Sequence, residues 1–547
     1  MGPPLMERQS LATFAASIEP QAVPASTEYD APRHDRAFLL LLVSALTLFA
    51  AAIDGYHPFA EDGGLYLAGV ERLLKPSLFP HSAAFVLEPM RHSLFAPTVA
   101  EAVRITHLPL PAVLLALYLG SIWATLFAAW MLASRCWMSY TARAGAVTLL
   151  ACWLSLPIAG TALLFMDPYA TARSFSTPCM VLALVGVLDM TATGQDRKRS
   201  MQRGLPLWVV SIVLAAAMHP LMAAYALGAT LMLYVLRSSN RAFRLYGTVA
   251  LAASAIVFAA CLQSLAQPES ADYLRIALTR TYWFPAQWRW FELVGLAAPL
   301  AILTCFALGK TVPSTQFTHP MSARQALVRM AIAVGATSSL IALLFARATA
   351  DTHLIARLQP LRAFQIVYLI MVLALGAQFG GRMLRRSLWR WAVAMLLLGE
   401  TMFCAGRAAF PDSNHMEIPV LAPHNPWTQA FLWIRDNTPA DALFALDADY
   451  INAPGEDAQC FRAIAQRSVL ADYSKDGGEA SIAPELTEEW VRSQSAQQHL
   501  SMPSTTDNDR LSALQPLGVS WVVLQAAALT RQDCPYRNSS VKVCRLR

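Results

Sequence analysis

The feature that most constrains this chain is a succession of long apolar runs separated by short polar stretches. They fall at residues 37–53, 111–134, 144–165, 174–192, 205–218, 221–236, 245–266, 293–308, 330–345, 362–380 and 391–410. A bilayer core takes about 20 apolar residues per helical crossing, and most of these runs are of that order. The chain is 56% hydrophobic and only 14% charged, against about 25% charged in an average soluble domain. One water-soluble core cannot absorb that much apolar sequence, so the fold class is an α-helical polytopic membrane protein with about eleven spans. The two runs around His219-Pro220 are too long together for one crossing and short for two. Counting them as two places Arg135, Arg143, the Arg197-Lys198-Arg199-Arg203 cluster, Arg237, Arg241, Arg244 and Arg382–Arg390 on one side. Basic clusters stay cytoplasmic. The N-terminus is then inside and the C-terminus outside, as in a multi-pass protein of a bacterial inner membrane. Residues 1–36, rich in Pro, Ser and Ala, are expected to be a disordered cytoplasmic tail. The net charge of +6 follows from the inward arginines and implies no nucleic-acid surface. The nine cysteines form no CxxC pair and no metal-ligand spacing.

Residues 411–547 are a different kind of sequence, with turn residues and alternating elements, and predict a small extracytoplasmic α/β domain. Asn425-Pro426-Trp427 reads as an N-cap followed by an N1 proline, opening a helix through Asp436. Residues 442–446, 468–471 and 520–524 read as buried strands of one sheet, and 485–499 as a helix. Cys534 and Cys544 flank the last strand-like run, and in an oxidising compartment they suit a disulfide. Asp447 and Asp449 form a DxD, which at a strand end is read as turn chemistry. Asn538-Ser539-Ser540 is a formal glycosylation acceptor.

With eleven spans, the polar residues of alternate loops share the outer face. The first outer loop, 54–110, opens with Asp54, Glu61 and Asp62. Gly63-Gly64 and an apolar stripe, Tyr66, Leu67, Val70, Leu73 and Leu74, follow. That spacing predicts an amphipathic helix lying on the membrane surface. The glycine pair predicts close passage of the backbone past a substrate. Asp167 and Arg173 lie in the second outer loop and His219 at the tip of the short hairpin. Arg275 and Arg280 lie in the loop at 267–291, and Arg347, Arg357 and Arg362 around the next. Singly, such acids are helix caps and such arginines snorkel to lipid headgroups. As a set of carboxylates and guanidiniums on a face that should carry few cations, they point to binding of a phosphate, which Arg holds bidentately.

This layout resembles the GT-C superfamily of membrane glycosyltransferases, which use polyprenyl-phosphate-linked sugars. The shared features are an acidic motif after the first span, a helix in a large first outer loop, a second acid between spans three and four, and a C-terminal outer domain. The stretches PWTQAFLWIRDNTPADALF and CFRAIAQRSVLADYSKDGGEA resemble the C-terminal region of bacterial membrane proteins grouped with it. The chain lacks a WWDYG-type stretch, which argues against N-linked transfer. The resemblance implies a transferase whose donor is a lipid-linked sugar, with membrane lipids and no nucleic acid as partners. It places the catalytic acids on Glu61 and Asp62, with Asp54 as competitor. It places substrate binding on Asp167, Arg173, His219, Arg357 and Arg362, and allows a divalent ion, Mg or Mn, between Asp167 and the first-loop acids. The alternative is a transporter, a flippase-like protein or a scaffold of envelope polysaccharide assembly. That class uses ionisable groups in mid-membrane, here Glu400 and Asp189.

Overall fold

A computed structural model describes residues 33–193, 197–308 and 321–547; of the tail expected at 1–36, residues 1–32 lie outside them, and 33–36 belong to a helix rather than to a disordered tail. Two compact units are distinguished, Met1–Ser44 and Ala45–Arg547. Within the first, the described residues begin the helix Arg33–Asp54. All that follows concerns the second.

Among the described residues, nine helices are long and apolar enough to cross a membrane. Two shorter apolar helices, Pro220–Leu236 and Tyr140–Cys152, accompany them. The chain is a multi-pass membrane protein. His219 separates Arg197–Met218 from Pro220–Leu236, so the region is two helices, the second shorter than the candidate spans. Arg135 grips Asp189 with two hydrogen bonds, at 3.0 and 2.9 Å.

The run at 144–165 is not one span. Its helix stops at Cys152, and the following chain folds back on itself. Ile158 donates to the Leu163 carbonyl at 2.9 Å, Phe165 to Leu156 at 3.0 Å and Met166 to Leu154 at 2.7 Å. Pro157 lacks an N–H and disfavours helix in the residue before it. The re-entrant turn satisfies its own backbone groups, which a buried non-helical segment must do at membrane depth. It ends by delivering Asp167.

Residues 411–547 carry a five-stranded sheet in the order β2-β1-β3-β5-β4. The strands are β1 (Leu443–Ala445), β2 (Ser468–Val469), β3 (Trp521–Gln525), β4 (Tyr536–Arg537) and β5 (Val541–Arg545). β1 runs parallel to β2 and β3, and β3 pairs antiparallel with β5. The three strands read from the sequence are neighbours. Asn425 caps the helix Pro426–Asn437 through its side-chain oxygen, and Cys534 is bonded to Cys544. Asp449 accepts from Asn452 three residues on, which is turn chemistry, whereas Asp447 accepts from the distant Ser501 N–H and ties two segments together.

The partner of the apolar stripe on helix Glu61–Leu74 is protein. The helix packs against Ala83–Arg91, Phe95–Thr106, Phe461–Ala465 and Lys475–Ile482, with Leu67, Ala68, Val70 and Glu71 buried. An apolar stripe alone does not distinguish a lipid partner from a protein one.

Helix Tyr140–Cys152 meets helix Phe364–Gln378 through glycines. A Cβ on Gly376 would lie 2.5 Å from the Gly145 carbonyl oxygen, and one on Gly145 2.3 Å from the Gly376 oxygen. Small residues permit such approach between apolar helices. Gly376→Val is expected to cost on the order of 3 kcal/mol by overpacking, read as a lowered melting temperature in detergent. Gly120→Ala, where an added Cβ meets nothing within 4 Å, should melt like the parent. Equal melting of both variants would contradict this packing.

Candidate active site

Glu61 and Asp62 are placed by a joint between the first loop and the C-terminal segment. Ala60 bridges Gln459, the Glu61 N–H donates to the Ala458 carbonyl at 2.8 Å, and Cys460 N–H donates to Phe59 at 2.9 Å. Gly64 makes the joint possible, since a Cβ there would stand 2.3 Å from the Cys460 Cβ. The close approach predicted for the glycine pair is therefore to protein: Gly64 to Cys460, Gly63 to the Tyr169 ring. Glu61 itself sits at φ +52°, a left-handed conformation that costs a non-glycine residue about 1 kcal/mol or more and persists only where the surroundings impose it.

Lys475 closes the pair. Its ammonium contacts Glu61 Oε2 and lies 3.1 Å from Asp62 Oδ1. The lysine side chain is 16% exposed, while Glu61 and Asp62 keep 42% and 38%, so the acids remain accessible from outside while the ammonium lies beneath them. Burial alone would raise Asp62, but the Lys475 ammonium, with the guanidiniums of Arg173 and Arg362, outweighs it and holds the carboxyl at about 2. Asp62 is thus ionised throughout the physiological range.

Asp167 arrives on the re-entrant turn and pairs with Arg173 in the first turn of helix Ala172–Met190. Thr171 and Ser174 form a capping box that fixes this start. Both partners of the Asp167–Arg173 pair are buried. His219, between its two helices, stands within the field of Arg362, Arg173 and Asp62. Burial, reinforced by the two guanidiniums, pushes it down to about 3, so the imidazole is neutral. Its Nδ1 is buried without a partner.

Arg362 occupies a short 3-10 turn, Pro360–Ala363. The Tyr225 hydroxyl steadies that turn by donating to the Leu358 and Gln359 carbonyls. Arg362 forms no ion pair among the described residues, and its Nε is buried without a partner. Its charge acts on Asp62, His219 and Arg173.

Glu61, Asp62, Asp167, Arg173, His219 and Arg362 therefore converge, whereas Asp54 and Arg357 do not join them. Asp54 is buried at the end of its helix and accepts the Ser155 hydroxyl at 2.6 Å, tying that helix to the re-entrant turn. Arg357 reaches the Ile482 carbonyl at 3.4 Å and acts on Glu269, Tyr273 and Glu485.

Sequence reasoning missed Lys475 and Glu479, one helical turn apart on Lys475–Ile482. Burial, with Asp62, Asp476 and Glu88 nearby, pushes Glu479 up to about 8. The signal was present in YSKDGGEA, where the i, i+4 spacing puts both on one helix face. Tyr66 and Tyr169 complete the surroundings, each held protonated by burial and the neighbouring carboxylates. Among the described residues, no group of three or more His, Cys, Asp and Glu side chains is arranged to hold a metal ion.

No family model matches the chain, and no curated protein matches it. Among solved structures, it is similar to the archaeal oligosaccharyltransferase AglB from Archaeoglobus fulgidus, determined with an inhibitory peptide and a dolichol-phosphate. The identity is 13%, over 90% of this chain and 70% of that one, at a TM-score of 0.41. It is also similar to the arabinofuranosyltransferase AftD from Mycobacteria, at 12% identity and a TM-score of 0.47. That match covers 93% of this chain and 41% of the other, so the chain spans under half of that protein's length.

Proposed function

We propose that the chain is a membrane glycosyltransferase of the GT-C type, moving a sugar from a polyprenyl-phosphate carrier to an envelope acceptor at the extracytoplasmic face of a bacterial inner membrane. The observation that carries this reading is a part-exposed, ionised Asp62 within the field of Arg173 and of Arg362, which forms no ion pair among the described residues. The Cys534–Cys544 bond supports an oxidising compartment for the C-terminal segment.

The donor is already activated, because a phosphate is a good leaving group. Arg362 receives the phosphate and neutralises the charge that grows as the bond from the anomeric carbon to the phosphate oxygen breaks, with Arg173, paired to Asp167, adding to the positive field beside it. The acceptor hydroxyl forms the new bond to that carbon, and its proton passes to a first-loop carboxylate, Asp62 or Glu61. The electron pair of the broken bond leaves with the polyprenyl phosphate. A carboxylate held at about 2 is a weak base, but it is always available, and an attacking alcohol becomes more acidic as its bond forms. Glu479, pushed up to about 8, stays mostly protonated at neutral pH and offers a hydrogen bond to a substrate oxygen. Such separation of two carboxyl groups is a mark of acid and base roles.

The transporter reading lacks comparable support. Asp189 is neutralised by Arg135, and Glu400 is exposed on the surface of helix Leu388–Ala409, where its recorded partner is Cys404.

Asp62→Asn is expected to lower transfer from a labelled polyprenyl-phosphate sugar by ~10²–10⁴-fold, with normal insertion. Arg362→Ala should lower kcat as well as raise the KM for the donor, while Asp54→Asn keeps wild-type transfer. Full activity in Asp62→Asn, or no consumption of any lipid-linked sugar by the wild type, would refute the reading.

A pH prediction follows from Glu479. Its folded pKa is raised above the unfolded value of 4.5 to about 8, so it contributes stability fully present below 4.5 and lost as pH rises through 8. Glu479→Gln should therefore melt higher than the wild type at pH 9 and no higher at pH 4.5. Identical melting curves at both pH values would show that the carboxyl is not held protonated.

A further inference from the structure

A divalent ion at the first-loop acids would need several oxygens converging at about 2.0–2.6 Å. The side chains do not offer that. Glu61 and Asp62 already meet an ammonium, at 3.1 Å for Asp62, and Asp167 is spent on Arg173. The backbone that carries this lysine is also held firmly. The Lys475 N–H donates to Asp472 Oδ1 at 2.6 Å, and the Asp472 N–H donates to Asp476 Oδ2 at 2.8 Å. Asp476 is gripped by Arg462 at 2.6 Å. The Trp490 indole N–H donates to the Asp472 carbonyl at 2.8 Å. From the other side, Arg280 donates to the Ser474 and Tyr473 carbonyls at 2.7 and 2.9 Å. A lysine so fixed is no roaming surface cation; it is built into the site from the C-terminal segment.

We propose that Lys475 is the resident cation of this site: its ammonium, fixed between Glu61 and Asp62, does the charge-neutralising work of a divalent ion, and the site takes no metal. This rests on the transferase reading above. Lys475 keeps Asp62 ionised, and it adds positive charge to the region where the donor phosphate lies. Glu479, neutral at physiological pH, is a poor metal ligand, which agrees. The consequence is a domain coupling. The cation is supplied by the C-terminal segment, so the acids of the first loop are complete only while that segment is docked.

The test uses the full chain in lipid nanodiscs and has two independent readouts. The first is titration with Mn²⁺ alone, followed by electron paramagnetic resonance. The wild type should bind no more Mn²⁺ than Asp62→Asn does. The second is transfer from a labelled polyprenyl-phosphate sugar in excess EDTA. Wild-type transfer should be unchanged, Lys475→Met should lose ~100-fold, and Lys475→Arg should recover part of it. In Lys475→Met the acid limb of the pH profile should move up by about one unit or more, because the charge that depresses Asp62 is gone; a merely structural lysine would leave that limb in place. Wild-type Mn²⁺ binding that Asp62→Asn removes would overturn the proposal. So would loss of transfer in EDTA restored by Mg²⁺, or full transfer by Lys475→Met. If the wild type turns over no lipid-linked sugar, the transferase reading falls, and the Mn²⁺ titration still decides what Lys475 does.

Discussion

The contact between Gly64 and Cys460 governs the site. Where a Cβ would stand 2.3 Å from its neighbour, two backbones are as near as they can come. The approach brings the helix Glu61–Leu74 against Phe461–Ala465, and with it the strained Glu61 into register with Lys475. Everything acidic in the first loop is oriented by that register. Glu71, further along the helix, is buried and accepts from Gln466 at 2.9 Å, so the same two elements are tied again two turns below the acids. The loop and the C-terminal segment, far apart in sequence, form one structural object.

The membrane-spanning part contributes rigidity and reach. Glycine contacts such as Gly145–Gly376 pull helices together, and the re-entrant turn at 153–171 uses the resulting interior. It satisfies its own backbone groups, anchors on Asp54 through Ser155, and presents Asp167 beside Arg173. A full-length span at that place would have carried Asp167 away from the site. Breaking the helix at Cys152 is therefore tied to building the site.

Much of this was legible in the sequence because it rests on local chemistry. Apolar length marked the spans, the Asn425-Pro426 pair marked a helix start, and three apolar runs marked neighbouring strands. The acids and arginines of one membrane face were legible as a group, since alternation of spans places them together before any contact is known. What was not legible is pairing between distant segments. Nothing local in YSKDGGEA says that its lysine meets Glu61, and the stripe Tyr66, Leu67, Val70 suits a lipid surface as well as a protein one. The stop at Cys152 was signalled by Pro157, but the surrounding hydrophobicity masked it. Asp54 was misplaced for a related reason. A carboxylate at a span end looks functional in sequence, and only the Ser155 contact reveals a tether.

The arginines on the site-bearing face resolve the oddity of their number. Arg280 is consumed by the carbonyls of Tyr473 and Ser474, Arg173 by Asp167, Arg357 by the Ile482 carbonyl, and Arg347 by its own helix at Leu343. Each of these positions structure or balances a buried charge. Arg362 forms no ion pair among the described residues; its Nε, like that of Arg173, is buried with no acceptor, and its charge meets another guanidinium. Leaving a charged donor unsatisfied costs more than a neutral hydrogen bond gains, and two like charges side by side add to that cost. Such an arrangement is sustained when an anion completes it, and a phosphate, with several oxygens for a forked donor, has the right form. The surplus of cations that seems to contradict the topology is thus mostly architecture, and Arg362 is the one the proposed transfer assigns to the donor phosphate.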